Sequence, residues 1–288
     1  MEQPQVVVNE HCQVGEGPLW DERRGLVYWT DIDGGKLFCW DIATRTHRQI
    51  YGGEPVGGFT LQEDGSLLLF RANNIALLGE DGSTAVIIDN IDPQMVRFND
   101  VIADPEGRVF AGTIGEKLSG GLCRVDLDGR VTLLERGTDC ANGMDFSPDL
   151  RRFYWTDTSA NSIFGYDYDR GSGRITNKRT VVRVPQGQGV ADGLAVDTEG
   201  NLWSARWGGF GVCRHSPDGR EIGRVALPVQ KVSSVIFGGK DLDTLFITTA
   251  AEGLPTTPDS LDGALFCVRV AARGRPSFRS RIMMRRGQ

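Results

Sequence analysis

Short apolar runs recur at regular intervals along this chain and divide it into six similar units. The runs begin 41, 42, 44, 49 and 43 residues apart and are rich in Leu, Val, Phe, Tyr and Trp. Such residues favour pleated strands, and a unit of about forty to fifty residues with several strands is typical of a propeller blade. The six runs occupy residues 26–31, 67–70, 109–113, 153–157, 202–205 and 245–249.

A second apolar run follows each of the first. The duplication is visible when Gly121-Leu-Cys-Arg-Val125 is set beside Gly211-Val-Cys-Arg-His215. Thirty-eight glycines punctuate the chain, and no stretch keeps a helical period across three turns. The sequence therefore predicts an all-β fold, a six-bladed β-propeller. The second runs occupy residues 36–40, 75–78, 122–125, 163–166, 212–215 and 265–268.

The two ends of the chain are predicted to meet in one blade. An open array of blades would leave exposed strand edges, so the six units should close into a ring that forms a single domain over residues 1–288. Residues 6–8 are a Val-Val-Val run that precedes the first unit and has no blade of its own. We expect a strand at about residues 5–9 to close the last blade beside the C-terminal strands.

Charge, hydropathy and cysteine usage exclude several classes of protein. The net charge is −6 with both signs mixed, so no nucleic-acid footprint is expected. No apolar run approaches a membrane span, and the N-terminus lacks the basic start and apolar core of a signal peptide. Six cysteines form no Cys-x-x-Cys pair, which favours free thiols in a reducing compartment. We expect a cytoplasmic monomer or weak homo-oligomer that binds neither nucleic acid nor membrane.

The last twenty residues are crowded with arginine. No aromatic or amphipathic pattern accompanies this charge, so a solvated edge strand is favoured over phosphate or membrane binding. We expect residues 283–288 to be frayed. The arginines are Arg269, Arg273, Arg275, Arg279, Arg281, Arg285 and Arg286.

Oxygen-bearing side chains share one position in the repeat. Turns begin at residues 21, 104, 147 and 197, each after a short apolar first strand. The residue five positions before each turn lies just before this first strand and carries a carboxylate or an amide, whereas the other two units have Gly57 and Ser233 there. The first strand of a blade is the innermost, so these side chains should converge at one end of the central channel. The four residues are Glu16, Asn99, Asn142 and Asp192.

Two carboxylates and two amides make an all-oxygen set. Such a set suits a hard divalent cation such as Ca²⁺, Mg²⁺ or Mn²⁺, and Zn²⁺ also accepts carboxylates. The alternative is that Asn and Asp begin strands and turns through local hydrogen bonds, an explanation sufficient for Asp100 and Asp149. Recurrence at one offset in four units favours a metal site.

Several longer motifs occur together along the chain. They include residues 15–18, 97–100, 104–107, 142–143, 154–157, 192–194, 207–209 and 237–239. With these motifs the sequence resembles the gluconolactonase, regucalcin (senescence marker protein) and luciferin-regenerating enzyme family over nearly the whole chain. The resemblance implies a six-bladed propeller with one central metal ion and a sugar-lactonase activity. It also implies metal ligands at Glu16, Asn142 and Asp192, with Asn99 beside the metal and Arg97 on the substrate.

The sequence departs from the family pattern at a few positions. Phe98-Asn-Asp-Val101 stands where the family often has Pro-Asn-Asp-Gly, and Ala191 stands where it often has Pro. Neither change removes a ligand. The family has an acidic substrate contact at a position that corresponds here to Glu116 or to Lys117. The sequence therefore leaves open which residue contacts the far end of the substrate.

The predicted reaction is metal-dependent hydrolysis of small sugar-type lactones. A bound metal polarises a carbonyl, and a carboxylate at the metal takes the proton of the attacking water. We assign to Asp192 the role of accepting this proton, and to Asn99 the role of orienting the substrate or the water. Arg97, Asn99 and Glu116 are the predicted substrate contacts. Arg97 has a fixed fork of donors, although a surface salt bridge explains it nearly as well.

Other functions fit parts of the same pattern. A non-catalytic, metal-binding regulatory propeller is the main alternative, because fold does not fix function. An esterase or phosphotriesterase would use the same metal, and a glycosidase would use Glu16 and Asp192 as its acid pair. A serine hydrolase is disfavoured because the chain lacks a Gly-x-Ser-x-Gly motif.

Overall fold

The computed structural model describes residues 2–255 and 257–283, whose regular structure is almost entirely β-strand. It contains 24 strands and one short 3₁₀ turn at Glu116–Leu118. The strands form six antiparallel sheets of four strands each. The predicted six-bladed β-propeller is confirmed.

We number the strands β1–β24 in chain order and the blades by their innermost strands. Blade one contains β2 (Gly15–Asp21), β3 (Leu26–Asp31), β4 (Lys36–Asp41) and β5 (Thr46–Gly52), and blade two contains β6 (Gly58–Leu61), β7 (Leu67–Phe70), β8 (Asn74–Leu78) and β9 (Thr84–Asp89). Blade three contains β10 (Arg97–Ala103), β11 (Val109–Ile114), β12 (Gly120–Val125) and β13 (Val131–Thr138), and blade four contains β14 (Ala141–Phe146), β15 (Arg152–Asp157), β16 (Ser162–Asp169) and β17 (Arg174–Arg183). Blade five contains β18 (Val190–Val196), β19 (Leu202–Trp207), β20 (Gly211–His215) and β21 (Glu221–Ala226), and blade six contains β22 (Val232–Gly238), β23 (Thr244–Thr249), β24 (Ala264–Arg269) and β1 (Gln5–Asn9).

Blade six joins the two ends of the chain. Its strand order is β22, β23, β24, β1, and β1 runs antiparallel to β24 with Gln5 opposite Cys267. The outermost strand of this sheet therefore comes from the start of the sequence, and its other three strands come from the end.

The hydrophobic core lies between neighbouring blades. Both faces of each middle strand are covered by adjacent blades, so these strands are continuously apolar rather than alternating. All four residues of β7 are buried, for example, whereas the outer strand β9 is largely exposed. Between blades three and four, the ring centroids of Phe110 and Phe153 lie 4.7 Å apart in an aromatic cluster with Phe146.

The innermost strands pack very closely around the channel. Each of β2, β6, β10, β14, β18 and β22 contacts the next around the ring. A Cβ atom added at Gly143 would lie 2.3 Å from the backbone nitrogen of Leu194, and one at Gly193 would lie 2.1 Å from Ser234 Oγ. Glycine is required at both positions, because real Cβ contacts are never this short. This close approach brings residues of different blades within reach of one another.

Residues 271–283 cross the far end of the channel, where the innermost strands end. Arg275 pairs with Asp145, and Arg279 Nη2 lies 2.5 Å from Asp21 Oδ1. The backbone nitrogen of Arg281 donates to the carbonyl of Gly107 at 2.8 Å. One segment thus contacts blades four, one and three, and closes the channel from below.

The predicted solvated edge strand is wrong for this segment. Arg279 is only 8% exposed, because its partner Asp21 is itself buried at the end of β2. Arg269 does lie exposed at the end of β24, where it pairs with Asp243. The predicted fraying of 283–288 falls almost wholly on residues 284–288, outside the described residues, and so do Arg285 and Arg286.

The structure also shows the state of the cysteines and the extent of helix. All six cysteines are free, as the absence of a Cys-x-x-Cys pair predicted. Across 2–255 and 257–283, no helix has the length and apolar character needed to cross a bilayer.

The ion pair beneath the channel should contribute strongly to stability. Substituting one partner of a buried pair leaves the other charge uncompensated, which costs about 3–5 kcal/mol. We therefore expect Arg279→Ala to lower the free energy of unfolding by about that amount in urea at neutral pH. Arg281→Ala, in an exposed side chain, is the matched control and should change it by less than about 0.5 kcal/mol. Equal effects of the two substitutions would contradict this account.

Candidate functional site

Four polar side chains meet near the starts of the innermost strands, at the end of the channel opposite the C-terminal segment. Glu16 lies on β2, Asn99 on β10, Asn142 on β14 and Asp192 on β18, and each is only 4–5% exposed. All four line one cavity of about 430 Å³ together with Arg97. The repeat offset that singled them out in the sequence corresponds to one level of the ring.

A break in strand pairing accompanies each of these residues. The register between the first and second strands shifts between Glu16 and Leu19, between Phe98 and Val101, between Ala141 and Met144, and between Ala191 and Leu194. Bulges of this kind bend a strand and redirect a side chain, and they are frequent next to active sites.

The two remaining blades contribute no ligand, and the structure shows the reason for each. Blade two has no register shift between β6 and β7, and Gly57 offers no side chain. Blade six has a shift, but Ser233 donates from Oγ to the carbonyl of Gly15 and bonds Thr248 Oγ1 at 3.0 Å. Its hydroxyl is therefore engaged inside the protein.

Sequence reasoning placed the site residues just before the first strands. The structure places them inside these strands, because the bulge interrupts the pairing without ending it. The dipeptides Glu16-Gly, Asn142-Gly and Asp192-Gly carried this signal, since glycine inside a strand pattern often marks a bulge.

The two amides at the site are held differently. Asn99 Oδ1 accepts a hydrogen bond from Arg97 Nη1 at 2.6 Å, and Asn99 Nδ2 donates to the carbonyl of Ala141 at 2.9 Å. Asn142 Nδ2 donates to Thr158 Oγ1 at 3.1 Å, but Asn142 Oδ1 is buried without a hydrogen-bond partner. Only Asn142 therefore presents a free amide oxygen.

The site concentrates negative charge. Burial, and next the charge of Asp192, raise the pKa of the Glu16 carboxyl, while a hydrogen bond from Gly17 N at 3.0 Å opposes this. Burial, and next the charge of Asp100, raise the pKa of Asp192. Asp100 faces a smaller cavity of about 90 Å³ deeper in the channel, where burial raises its pKa to about 7. Carboxylates in such surroundings are stabilised by a cation.

The donor set fits a hard divalent ion. Asp192 Oδ1, like Asn142 Oδ1, is buried and has no hydrogen-bond partner, although buried polar atoms are nearly always satisfied. Carboxylate and amide oxygens are the ligands that such ions prefer. Among the described residues no three His, Cys, Asp or Glu side chains gather to hold a metal, so an amide has to complete any set here.

Arg97 is the basic side chain of the cavity. Its guanidinium donates to the carbonyl of Phe98 at 2.9 Å as well as to Asn99. It forms no ion pair within 4.0 Å to any described carboxylate, so the surface salt bridge considered from the sequence is not what the structure has.

Glu116 lies apart from this constellation. It is exposed in the 3₁₀ turn, as is Lys117, and neither residue lines the cavity. Its role as a substrate contact stays a prediction without support from the geometry.

Sequence reasoning missed several residues that line the cavity. Cys140 Sγ lies 3.6 Å from Asn142 Nδ2 and 3.8 Å from Asn99 Nδ2, and burial raises the pKa of its thiol to about 12. Thr158 and Trp207 come from other loops and strand ends. Cys140 lies two residues before a candidate ligand and Trp207 begins the motif at residues 207–209, whereas Thr158 had no such signal in the sequence.

Comparison with known proteins identifies relatives of this chain. Residues 14–251 match the family described as SMP-30/Gluconolactonase/LRE-like region. The pentonolactonase XacC of Haloferax volcanii is 43% identical over 96% of this chain and 98% of its own length. Regucalcin of Oryctolagus cuniculus is 34% identical over 88% of each chain.

Solved structures give the same result. The calcium-binding protein regucalcin from Agrobacterium tumefaciens superposes with a TM-score of 0.89 at 26% identity, over 96% of each chain. A luciferin-regenerating enzyme gives a TM-score of 0.88 at 26% identity, over 96% of this chain and 98% of its own.

The crowded carboxylates should destabilise the protein when no cation is present. A carboxyl whose pKa is raised in the folded state binds more protons folded than unfolded, so stability falls as pH rises above its unfolded pKa. In chelator, wild type should therefore melt at a lower temperature at pH 7 than at pH 5. Asp192→Asn should reduce this difference and melt at least about 2 °C higher than wild type at pH 7. Thermal unfolding followed by circular dichroism measures both effects, and an Asp192→Asn protein less stable than wild type in chelator would contradict them.

Proposed function

Because this chain belongs to the SMP-30/Gluconolactonase/LRE-like family, we propose that it is a lactonase that opens small sugar lactones with the help of one divalent metal ion. The observation that carries the proposal is the pair of buried, partnerless oxygens on Asn142 and Asp192, beside Glu16 in a cavity of small-molecule size. The similarity to a pentonolactonase supports lactones of five-carbon sugars among the substrates.

Three residues would hold the ion, namely Glu16, Asn142 and Asp192. Two carboxylates balance the charge of a divalent cation, and the free amide oxygen of Asn142 adds a neutral ligand. Ca²⁺, Mg²⁺, Mn²⁺ and Zn²⁺ all accept such oxygens, and the calcium-binding regucalcin neighbour supports Ca²⁺. When bound, the ion would polarise the lactone carbonyl and stabilise negative charge on its oxygen.

The remaining chemistry falls to side chains of this chain. Asp192 accepts the proton of the attacking water, as a positioned carboxylate can. Asn99 is fixed between Arg97 and the carbonyl of Ala141, so it orients the water or the substrate without reorganising. Arg97 uses one nitrogen for these contacts, and its other N–H groups bind the hydroxyls of the sugar. Glu116 has no part in this scheme.

The rim of the cavity supports a neutral substrate. Asp33 and Glu252 line the cavity beside Trp207. Lys231 is already paired with Glu252 at 3.0 Å and lies 4.6 Å from the Trp207 ring centroid. Its charge is therefore not available to an acidic substrate, whereas carboxylates accept hydrogen bonds from hydroxyls.

The free cysteines support a reducing compartment such as the cytoplasm.

The proposal is tested by removing the metal and returning it. Chelator-treated protein should not hydrolyse a panel of five- and six-carbon sugar lactones, and Ca²⁺, Mg²⁺, Mn²⁺ or Zn²⁺ added singly should restore turnover. Aryl esters and a phosphotriester in the same panel distinguish the other hydrolase functions. Metal binding without turnover of any lactone would favour a non-catalytic platform, and equal activity with and without metal would contradict the metal's role.

Arg97 offers a second arm to this experiment. Arg97→Ala should raise KM for hydroxylated lactones and affect plain aliphatic lactones less, because the guanidinium has no hydroxyls to hold there. Arg220→Ala, which is exposed and outside the cavity lining, is the matched control and should behave as wild type. An equal loss on every lactone would argue against Arg97 as the substrate contact.

A further inference from the structure

The hydroxyl of Thr158 bridges two blades at the candidate metal site. Thr158 follows strand β15 of blade four. Its Oγ1 donates to the carbonyl of Ala191 in blade five at 2.8 Å, and Asn142 Nδ2 donates to Oγ1 at 3.1 Å. Ala191 directly precedes Asp192. One side chain therefore contacts one candidate ligand and the backbone next to another.

The direction of these two hydrogen bonds is fixed by proton counting. A hydroxyl has one proton to donate, and a backbone carbonyl can only accept, so the proton of Thr158 points to Ala191. Oγ1 must then act as an acceptor toward Asn142, and the amide has to present its nitrogen. The orientation of an Asn side chain follows from its network rather than its shape, and here the network leaves only one arrangement.

The consequence appears on the other side of the amide. With Nδ2 turned to Thr158, Asn142 Oδ1 faces away and is the buried oxygen that has no hydrogen-bond partner. Cys140 Sγ, at 3.6 Å from the same nitrogen, is a weak second acceptor that supports this orientation. A flipped amide would direct an NH₂ group at a cation and would repel it.

We propose that Thr158 is a positioning residue, which holds the oxygen of Asn142 toward the metal and ties blade four to the backbone of Asp192. The inference rests on the proposed function, because it concerns the same ion. Groups that orient a ligand from behind are typically worth about 10- to 100-fold in metal affinity, so the effect should be measurable by binding alone.

Three substitutions isolate the hydroxyl. Thr158→Val keeps the shape of the side chain and removes the acceptor. It should weaken Ca²⁺ and Mn²⁺ binding by about 10- to 100-fold, measured by isothermal titration calorimetry on chelator-treated protein. Thr158→Ser keeps the hydroxyl and should bind close to wild type. Thr156→Val is the matched control, because Thr156 Oγ1 is buried without a partner, and it should leave affinity unchanged.

A carboxylate in place of the amide provides a further test. In an Asn142→Asp background both side-chain atoms are oxygens, so orientation no longer matters and Thr158→Val should lose most of its effect on metal affinity. This double-mutant cycle separates amide orientation from general loosening of the blade, which would persist in either background. If Thr158→Val fails to fold, Thr158→Ala compared with Thr158→Ser serves in the same cycle.

The outcomes separate this inference from the proposed function. Wild-type protein that binds no divalent ion would reject the metal site itself. If wild type binds the ion and Thr158→Val binds it with the same affinity, the role of the hydroxyl is rejected while the metal site stands. An equal loss of affinity in Thr158→Val and Thr158→Ser would have the same meaning. A loss that is confined to Thr158→Val and disappears with Asp at position 142 supports the assignment.

Discussion

The close packing of six innermost strands around one axis is the constraint on which the rest of the structure depends. At Gly143 and Gly193 the neighbouring strands leave no space even for a methyl group. This proximity turns a sequence repeat into a site, since it brings equivalent positions of four blades to one cavity. The bulge beside each of the four residues then directs the side chain inward instead of along the blade.

The two ends of the channel treat buried charge in different ways. At the far end, Arg275 and Arg279 compensate Asp145 and Asp21 directly, so that end is a structural closure. At the near end, burial and the charge of a neighbouring carboxylate raise the pKa of Glu16 and of Asp192, the neighbour being Asp192 for Glu16 and Asp100 for Asp192, with Arg97 as the basic lining residue. Proteins retain such unfavourable arrangements at functional sites, and a divalent ion would remove the repulsion and bind tightly for the same reason.

Much of this could be predicted from the sequence. The six blades follow from apolar runs, because strands buried on both faces are uniformly apolar and easily counted. Glu16, Asn99, Asn142 and Asp192 were found by their common offset, which a ring converts into proximity. The course of residues 271–283 across the channel was missed because arginine usually indicates a solvated surface. The buried partners of these arginines are distant in sequence. Thr158 was missed because a lone threonine carries no pattern, and its role depends on a contact between blades.

The central claim is that equivalent positions on different blades form one metal site. Crystals grown with Mn²⁺ and measured at its absorption edge locate the ion directly. We expect one strong anomalous peak on the channel axis, with oxygens of Glu16, Asn142 and Asp192 within about 2.0–2.6 Å of it and Asn99 still bonded to Arg97. A peak elsewhere, or an ion in the cavity that these three side chains do not contact, would contradict the claim.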